Sequence, residues 1–135
     1  MPLPELTDIL DDYQFLEGDD RIAYLVDLGR GLDPMPEALK TDATKVRGCS
    51  ASVWVYPQQS EGRLHFLADS NAAITKGIVA LVLAAVGQRP AVEVAALDIP
   101  ALLAPFDLGR HLSSNRTQGI PNMIALVQDT ARRLA

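Results

Sequence analysis

Leu6, Ile9, Leu10, Tyr13 and Leu16 recur at steps of three and four with acidic residues between them, a spacing that predicts a short helix with one apolar stripe. Gly18 ends that stretch, and Asp19 or Asp20 is placed to cap a second helix whose inner face is Ile22, Leu25, Val26 and Gly29. Gly31, Pro34 and Pro36 stop it. Residues 33–45 then carry no sustained period, as expected of a loop with about one turn of helix. From Ala51 the period drops to two. Val53 and Val55 alternate with Trp54 and Tyr56, which predicts a strand packed on both faces. Beyond the turn-rich residues 57–62, Leu64, Phe66 and Ala68 share one face of a second strand, and the pair reads as an antiparallel hairpin. Lys45 and Val46 are candidates for a further short strand, which would put Cys49 at the bend between strands.

Ser70 or Asn71 is placed to cap the next helix, which runs to about Val86 and closes with Gly87, Arg89 and Pro90. Its second half is apolar on all sides, so it must be covered on several faces and is the expected centre of the core. Two weaker helical stretches, around Val94 to Leu97 and Ile99 to Leu103, are divided by prolines. The last helix carries the stripe Ile120, Met123, Ile124, Val127, Ala131 and Leu134. Pro121 has no N–H to give, which places the start of that helix near Gln118, and Arg132 and Arg133 fall where the helix dipole favours cations. The expected class is α+β: a small antiparallel sheet of about three strands flanked by helices. No repeat or linker divides the chain, so residues 1–135 are expected to form a single domain.

Composition narrows the function. The chain has 135 residues, 48% hydrophobic and 21% charged, enough to bury roughly two-thirds of its extended surface without a disulfide or metal. A single cysteine cannot form an internal disulfide, and His65 and His111 lack any ligand spacing to it, so no metal site is expected. A net charge of −5 repels phosphate backbones and anionic lipid headgroups, so neither nucleic acid nor a membrane is an expected partner. MPLPELTDILDD does not read as a signal peptide, and residues 78–86 are too short to span a bilayer. A cytoplasmic protein is the expectation.

Cys49 sits in Lys45-Val46-Arg47-Gly48-Cys49-Ser50-Ala51-Ser52-Val53-Trp54. Gly48 permits a sharp turn and leaves room beside the sulfur, while Ser50 and Ala51 keep the approach open. Lys45 and Arg47 would favour thiolate over thiol if they come within a few ångström of the sulfur. Such a loop suits nucleophilic attack on sulfur or carbon. The alternative is an inert cysteine serving as a small buried hydrophobe, and the residues alone leave both open.

The run KVRGCSASVW resembles the signature of the SufE family, Val-x-Gly-Cys-x-Ser-x-Val-Trp, at Val46, Gly48, Cys49, Ser52, Val53 and Trp54. RIAYLVDLGRGL, LHFLADSNAAITKGIVALVL and HLSSNRTQGIPNMI are similar to further family blocks in the same order. Arg47, Asn71 and Pro121 depart from the family's usual residues.

The resemblance implies a SufE/IscU-like fold and a sulfur acceptor for iron–sulfur cluster assembly. Cys49 would take persulfide sulfur from a SufS-like cysteine desulfurase, stimulate it, and pass the sulfur towards a cluster scaffold. Such a chain is a transfer partner rather than an enzyme and needs no cofactor, because the pyridoxal phosphate belongs to the desulfurase. Gly48 and Ser50 would support the sulfur loop, and Arg116 matches the arginine of the last block, placing it as a loop or partner contact. Two other classes stand beside this: a cysteine hydrolase with His111 as base and Asn115 orienting it, and a non-catalytic desulfurase adaptor in which Cys49 is inert.

Overall fold

In the computed structural model, which describes residues 5–135 apart from the side chains of His111, Asn115 and Arg116, the elements follow the expected order. Helices α1 (Leu6–Gln14) and α2 (Asp19–Arg30) precede the strands β1 (Val53–Ser60) and β2 (Arg63–Ser70). Then come α3 (Ala73–Val86), α4 (Ala91–Ala96), α5 (Ile99–Leu103), α6 (Leu108–His111), α7 (Ser114–Thr117) and α8 (Ile120–Leu134). Short 3-10 turns lie at Glu37–Leu39 and Ala104–Phe106.

The all-round apolar helix is the centre of the core: Ile78, Val79, Ala80, Leu81 and Val82 in α3 are inaccessible or nearly so. α2, β2 and α5 pack on it, and α8 packs on α4. The α2–α3 crossing is unusually close. A Cβ on Gly77 would overlap the Leu25 carbonyl, and one on Gly29 would come 2.7 Å from the Gly77 nitrogen, so the two backbones touch where neither helix carries a side chain. The buried face of α2 is Leu25, Leu28 and Gly29, with Ile22 and Val26 half-buried.

The two strands pair from Val53 opposite Ser70 to Ser60 opposite Arg63. The tip, Glu61 and Gly62, has both φ values positive, the turn geometry that matches strand twist. Val53, Val55, Leu64, Phe66 and Ala68 are buried against the core. The opposite face is not fully covered. Trp54 lies beneath Lys40, whose Nζ is 5.7 Å from the ring centroid, but Tyr56 is 37% exposed, so β1 is packed on one face and not both.

The expected third strand is reduced to a bridge. Val46 N–H donates to the Val53 carbonyl at 2.8 Å and Val55 N–H to the Thr44 carbonyl at 2.9 Å, with Lys45 opposite Trp54, and among the described residues the sheet has two strands. Extension is blocked upstream because the Thr44 hydroxyl donates to the Leu39 carbonyl at 2.6 Å and closes a turn there.

The expected caps also differ. Gly18, not Asp19 or Asp20, is the α2 N-cap, and the two aspartates lie in the first turn facing the positive end of the dipole. Ala72 is the α3 N-cap, without a side-chain bond. Asn71 is engaged elsewhere: its Oδ1 accepts from Ser52 N–H at 3.1 Å. Nearby, Asp69 receives Lys40 Nζ at 2.7 Å and Lys76 Nζ at 3.2 Å, which fastens the segment before the sheet onto β2 and α3. Pro121 falls in the first turn of α8, as its missing N–H requires. No helix among the described residues is long and apolar enough to cross a membrane.

Candidate functional site

The bridge at Val46–Val53 closes a loop, residues 47–52, with Cys49 near its crown. Gly48 has φ +82°, a left-handed conformation that an L side chain rarely adopts. Space argues the same way, since a Cβ at Gly48 would overlap the Asn122 side-chain amide. That amide donates from Nδ2 to the Arg47 carbonyl at 2.9 Å, joining the loop to α8 across 75 residues of sequence. At the other end, Asn71 receives Ser52 N–H. Side chains from α8 and from the start of the α3 segment thus hold both ends of the loop.

Cys49 itself is half-buried and in no disulfide. Its sulfur rests on the backbone of Gly119, the N-cap of α8, where a Cβ would overlap Sγ and come within 3.1 Å of the cysteine Cα and Cβ. Ser50, Ala51, Thr75, Ile78, Ile120 and Met123 complete the crevice, whose free space is about 10 Å³, scarcely that of one water. Thr75 and Ile78 come from α3 and Ile120 and Met123 from α8, so the sulfur sits between the N-terminal parts of two helices.

The condition set for a thiolate, cations close to the sulfur, is not met here. Burial pushes the Cys49 thiol above its ordinary value. Lys45 and Arg47 are exposed and point their charge to solvent, and no charged side chain among the described residues lines the crevice. The two cations therefore do not make a thiolate in this arrangement. Burial in the crevice therefore favours the thiol of Cys49 over its thiolate.

Of the residues expected at the site, Cys49, Gly48 and Ser50 come together in this loop. The side chains of Arg116, His111 and Asn115 lie outside the described residues, so their expected roles have no geometry here. Sequence reasoning missed Asn122, Thr75, Ile78 and Met123. Gly119 stood in the quoted HLSSNRTQGIPNMI block, but its contact with the sulfur is visible only in three dimensions. A separate apolar groove of about 620 Å³ between α5 and α8, lined by Leu103, Leu108, Ile124 and others, meets the crevice at Ile120, and among the described residues no cysteine, serine or histidine lines it.

The family model described as an Fe-S metabolism associated domain, SufE, matches residues 7–131. The chain belongs to the SufE family. A SufE-like protein of Rhizobium etli is 35% identical over 135 residues, covering 96% of this chain and 91% of that one. Another from Rhizobium meliloti is 35% identical over 134 residues, covering 96% of each. Both bear the description uncharacterized. The solution structure of a hypothetical protein from Thermus thermophilus superposes with a TM-score of 0.76 at 17% identity, covering 99% of this chain and 98% of that one, a likeness of fold. The SufE domain thus extends across both helices of the sulfur crevice, and it ties the chain to iron–sulfur metabolism.

Proposed function

We propose that this SufE-family protein is a cytoplasmic sulfur carrier that accepts persulfide sulfur on Cys49 from a cysteine desulfurase, stimulates it by unloading it, and delivers the sulfur to an iron–sulfur scaffold. The observation that carries this reading is the placement of the lone thiol near the crown of a short loop, half-buried in an apolar crevice at the edge of the core, with both ends of the loop held by side-chain hydrogen bonds. Shelter suits a persulfide, which is easily oxidised in solvent.

The transfer is an exchange at sulfur. Cys49 first loses its thiol proton to solvent or to a base of the desulfurase. The thiolate attacks the outer sulfur of the desulfurase persulfide, a new S–S bond forms on Cys49, and the old S–S bond breaks. The electron pair leaves with the desulfurase cysteine, which takes up a proton, so no net oxidation occurs. A free space of about 10 Å³ cannot admit a second protein's sulfur, so attack takes place with Cys49 out of the crevice. Gly48 allows the loop its turn, and Ser50 lies on the crevice wall beside the sulfur.

Incubation with a cysteine desulfurase and free cysteine should add mass to Cys49 in steps of about 32 Da, one sulfur atom each. Cys49→Ser should abolish both the adduct and the rise in desulfurase turnover. Stimulation that survives Cys49→Ser would instead establish an adaptor that acts by docking alone.

A further inference from the structure

We infer that Asn122 is a positioning residue, the latch that keeps the Cys49 loop closed and so sets how often the sulfur is available to another protein. Three observations converge on this side chain. Its Nδ2 donates to the Arg47 carbonyl at 2.9 Å. Its amide is seated where any side chain on Gly48 would be, so the loop's own sequence leaves a socket for it. It is on the exposed side of α8, while the next residue, Met123, is buried and lines the sulfur crevice. Asn122 therefore contributes little to the core and much to one contact of the loop.

The opening step needs no backbone unfolding. The loop is bounded by the Val46–Val53 pairing, and Asn71 holds Ser52 close to that boundary. Arg47 and Gly48 are the residues between the boundary and the cysteine on the other side, and the Asn122 contact falls on both. Releasing the Arg47 carbonyl lets the crown swing on Gly48, away from Gly119. One neutral hydrogen bond at an exposed position shifts such an equilibrium by about fivefold.

The test compares the alkylation rate of Cys49 in the folded protein with that of the same protein unfolded, so that the ratio reports protection of the sulfur. Asn122→Ala should lower protection by about fivefold. Asn122→Leu keeps the bulk of the side chain but not the donor and should do the same. Protection that stays at the wild-type value in either variant overturns the latch. Gln128→Ala is the control, because Gln128 also lies on α8 and donates to the Leu97 carbonyl at 2.6 Å, away from the loop. It should leave Cys49 protection unchanged. An equal loss of protection there would mean that α8 had loosened as a whole, which also overturns the proposal.

A further arm rests on the sulfur-carrier reading. If the desulfurase captures the open loop, its apparent affinity scales with the open fraction. Asn122→Ala should then lower the half-saturating concentration of carrier by about fivefold and leave the maximal rate of desulfurase turnover unchanged. Identical half-saturation in the two proteins would remove Asn122 from transfer. Absence of any stimulation by the wild-type protein would refute the carrier reading, while the alkylation ratio still decides the latch.

Discussion

The α2–α3 crossing and the Cys49 crevice both depend on a glycine that leaves another part of the chain no side chain to meet. At the crossing, Gly77 lies against the Leu25 carbonyl and Gly29 against Gly77, all within regular helices and surrounded by inaccessible aliphatic residues. Nothing there can move without separating two helices. At the crevice, Gly119 lies against Cys49, but the cysteine belongs to a loop held by two side-chain amides, and its surroundings are half open to solvent. The same absence of a Cβ thus gives rigid packing in one place and a removable contact in the other. What separates them is whether the atom met first is main chain fixed in a helix or the sulfur of a loop residue, whose own backbone can follow it.

Gly77→Ala is the severest way to break this contrast. The added methyl meets main chain, which has no rotamer to yield, so α2 must shift from α3. The expected loss is about 3 kcal/mol after the better helix propensity of alanine is counted. Thermal unfolding should show a midpoint lowered by roughly 10 °C. A change below about 0.5 kcal/mol would show that α2 can slide and that the crossing is no more rigid than the loop.

Gly119→Ala should have a large effect of another kind. Gly119 has φ −84°, an ordinary backbone conformation for alanine, so the substitution strains only the contact with Cys49, where the new Cβ would overlap the sulfur and come within 3.1 Å of the cysteine Cα and Cβ. The sulfur then has to leave, and alkylation of Cys49 should speed up by about tenfold while the fold loses only about 1 kcal/mol. Equal losses of stability at Gly77 and Gly119, with no change in thiol reactivity, would erase the distinction between the two regions.

The rigid half of the molecule was more legible in the sequence than the movable half. Continuous hydrophobicity from Ile78 to Val86 identifies α3 as the core helix because burial on every side excludes polar residues. Alternation in Val53–Val55 and Leu64–Ala68 gives the buried face of the hairpin for the same reason. The failures share another cause. Asn71 and Asp19 have good capping chemistry, but Asn71 serves Ser52, and the α2 cap falls on Gly18. The third strand was expected from Lys45 and Val46, yet the turn closed by Thr44 leaves it a bridge. Asn122 looks like any polar residue on the outer face of an amphipathic helix. Its partner is a backbone carbonyl far away in sequence, and no side-chain pattern records a backbone partner. The family motif marks Cys49, but whether Lys45 and Arg47 come near its sulfur depends on side-chain placement that closeness in sequence does not decide, and both are exposed.

The smallest effect concerns pH, and it sets the crevice against the Asp69 ion pairs beside α3, because the two carry proton linkage of opposite sign. Burial pushes the Asp69 carboxyl up, but hydrogen bonds from Lys40, Ser70 N–H and Lys76 outweigh it and hold Asp69 below the ordinary carboxylate range. Its stabilising contribution is therefore complete above the unfolded value of about 3.9 and is lost as pH falls through the lower folded value. Asp69→Asn should cost roughly 1 kcal/mol at pH 7, the upper range for a partly exposed ion pair. Denaturant titrations of the two proteins should converge as the pH falls below about 3.9. Cys49 behaves in reverse: burial raises it, so crevice closure is fully favoured below the ordinary thiol value and weakens as pH rises through the raised one. Acid should thus weaken the fastening of the sheet and α3 without freeing the sulfur, and alkali should free the sulfur without weakening that fastening. A stability gap between wild type and Asp69→Asn that persists unchanged into acid would mean that Asp69 acts through packing rather than charge.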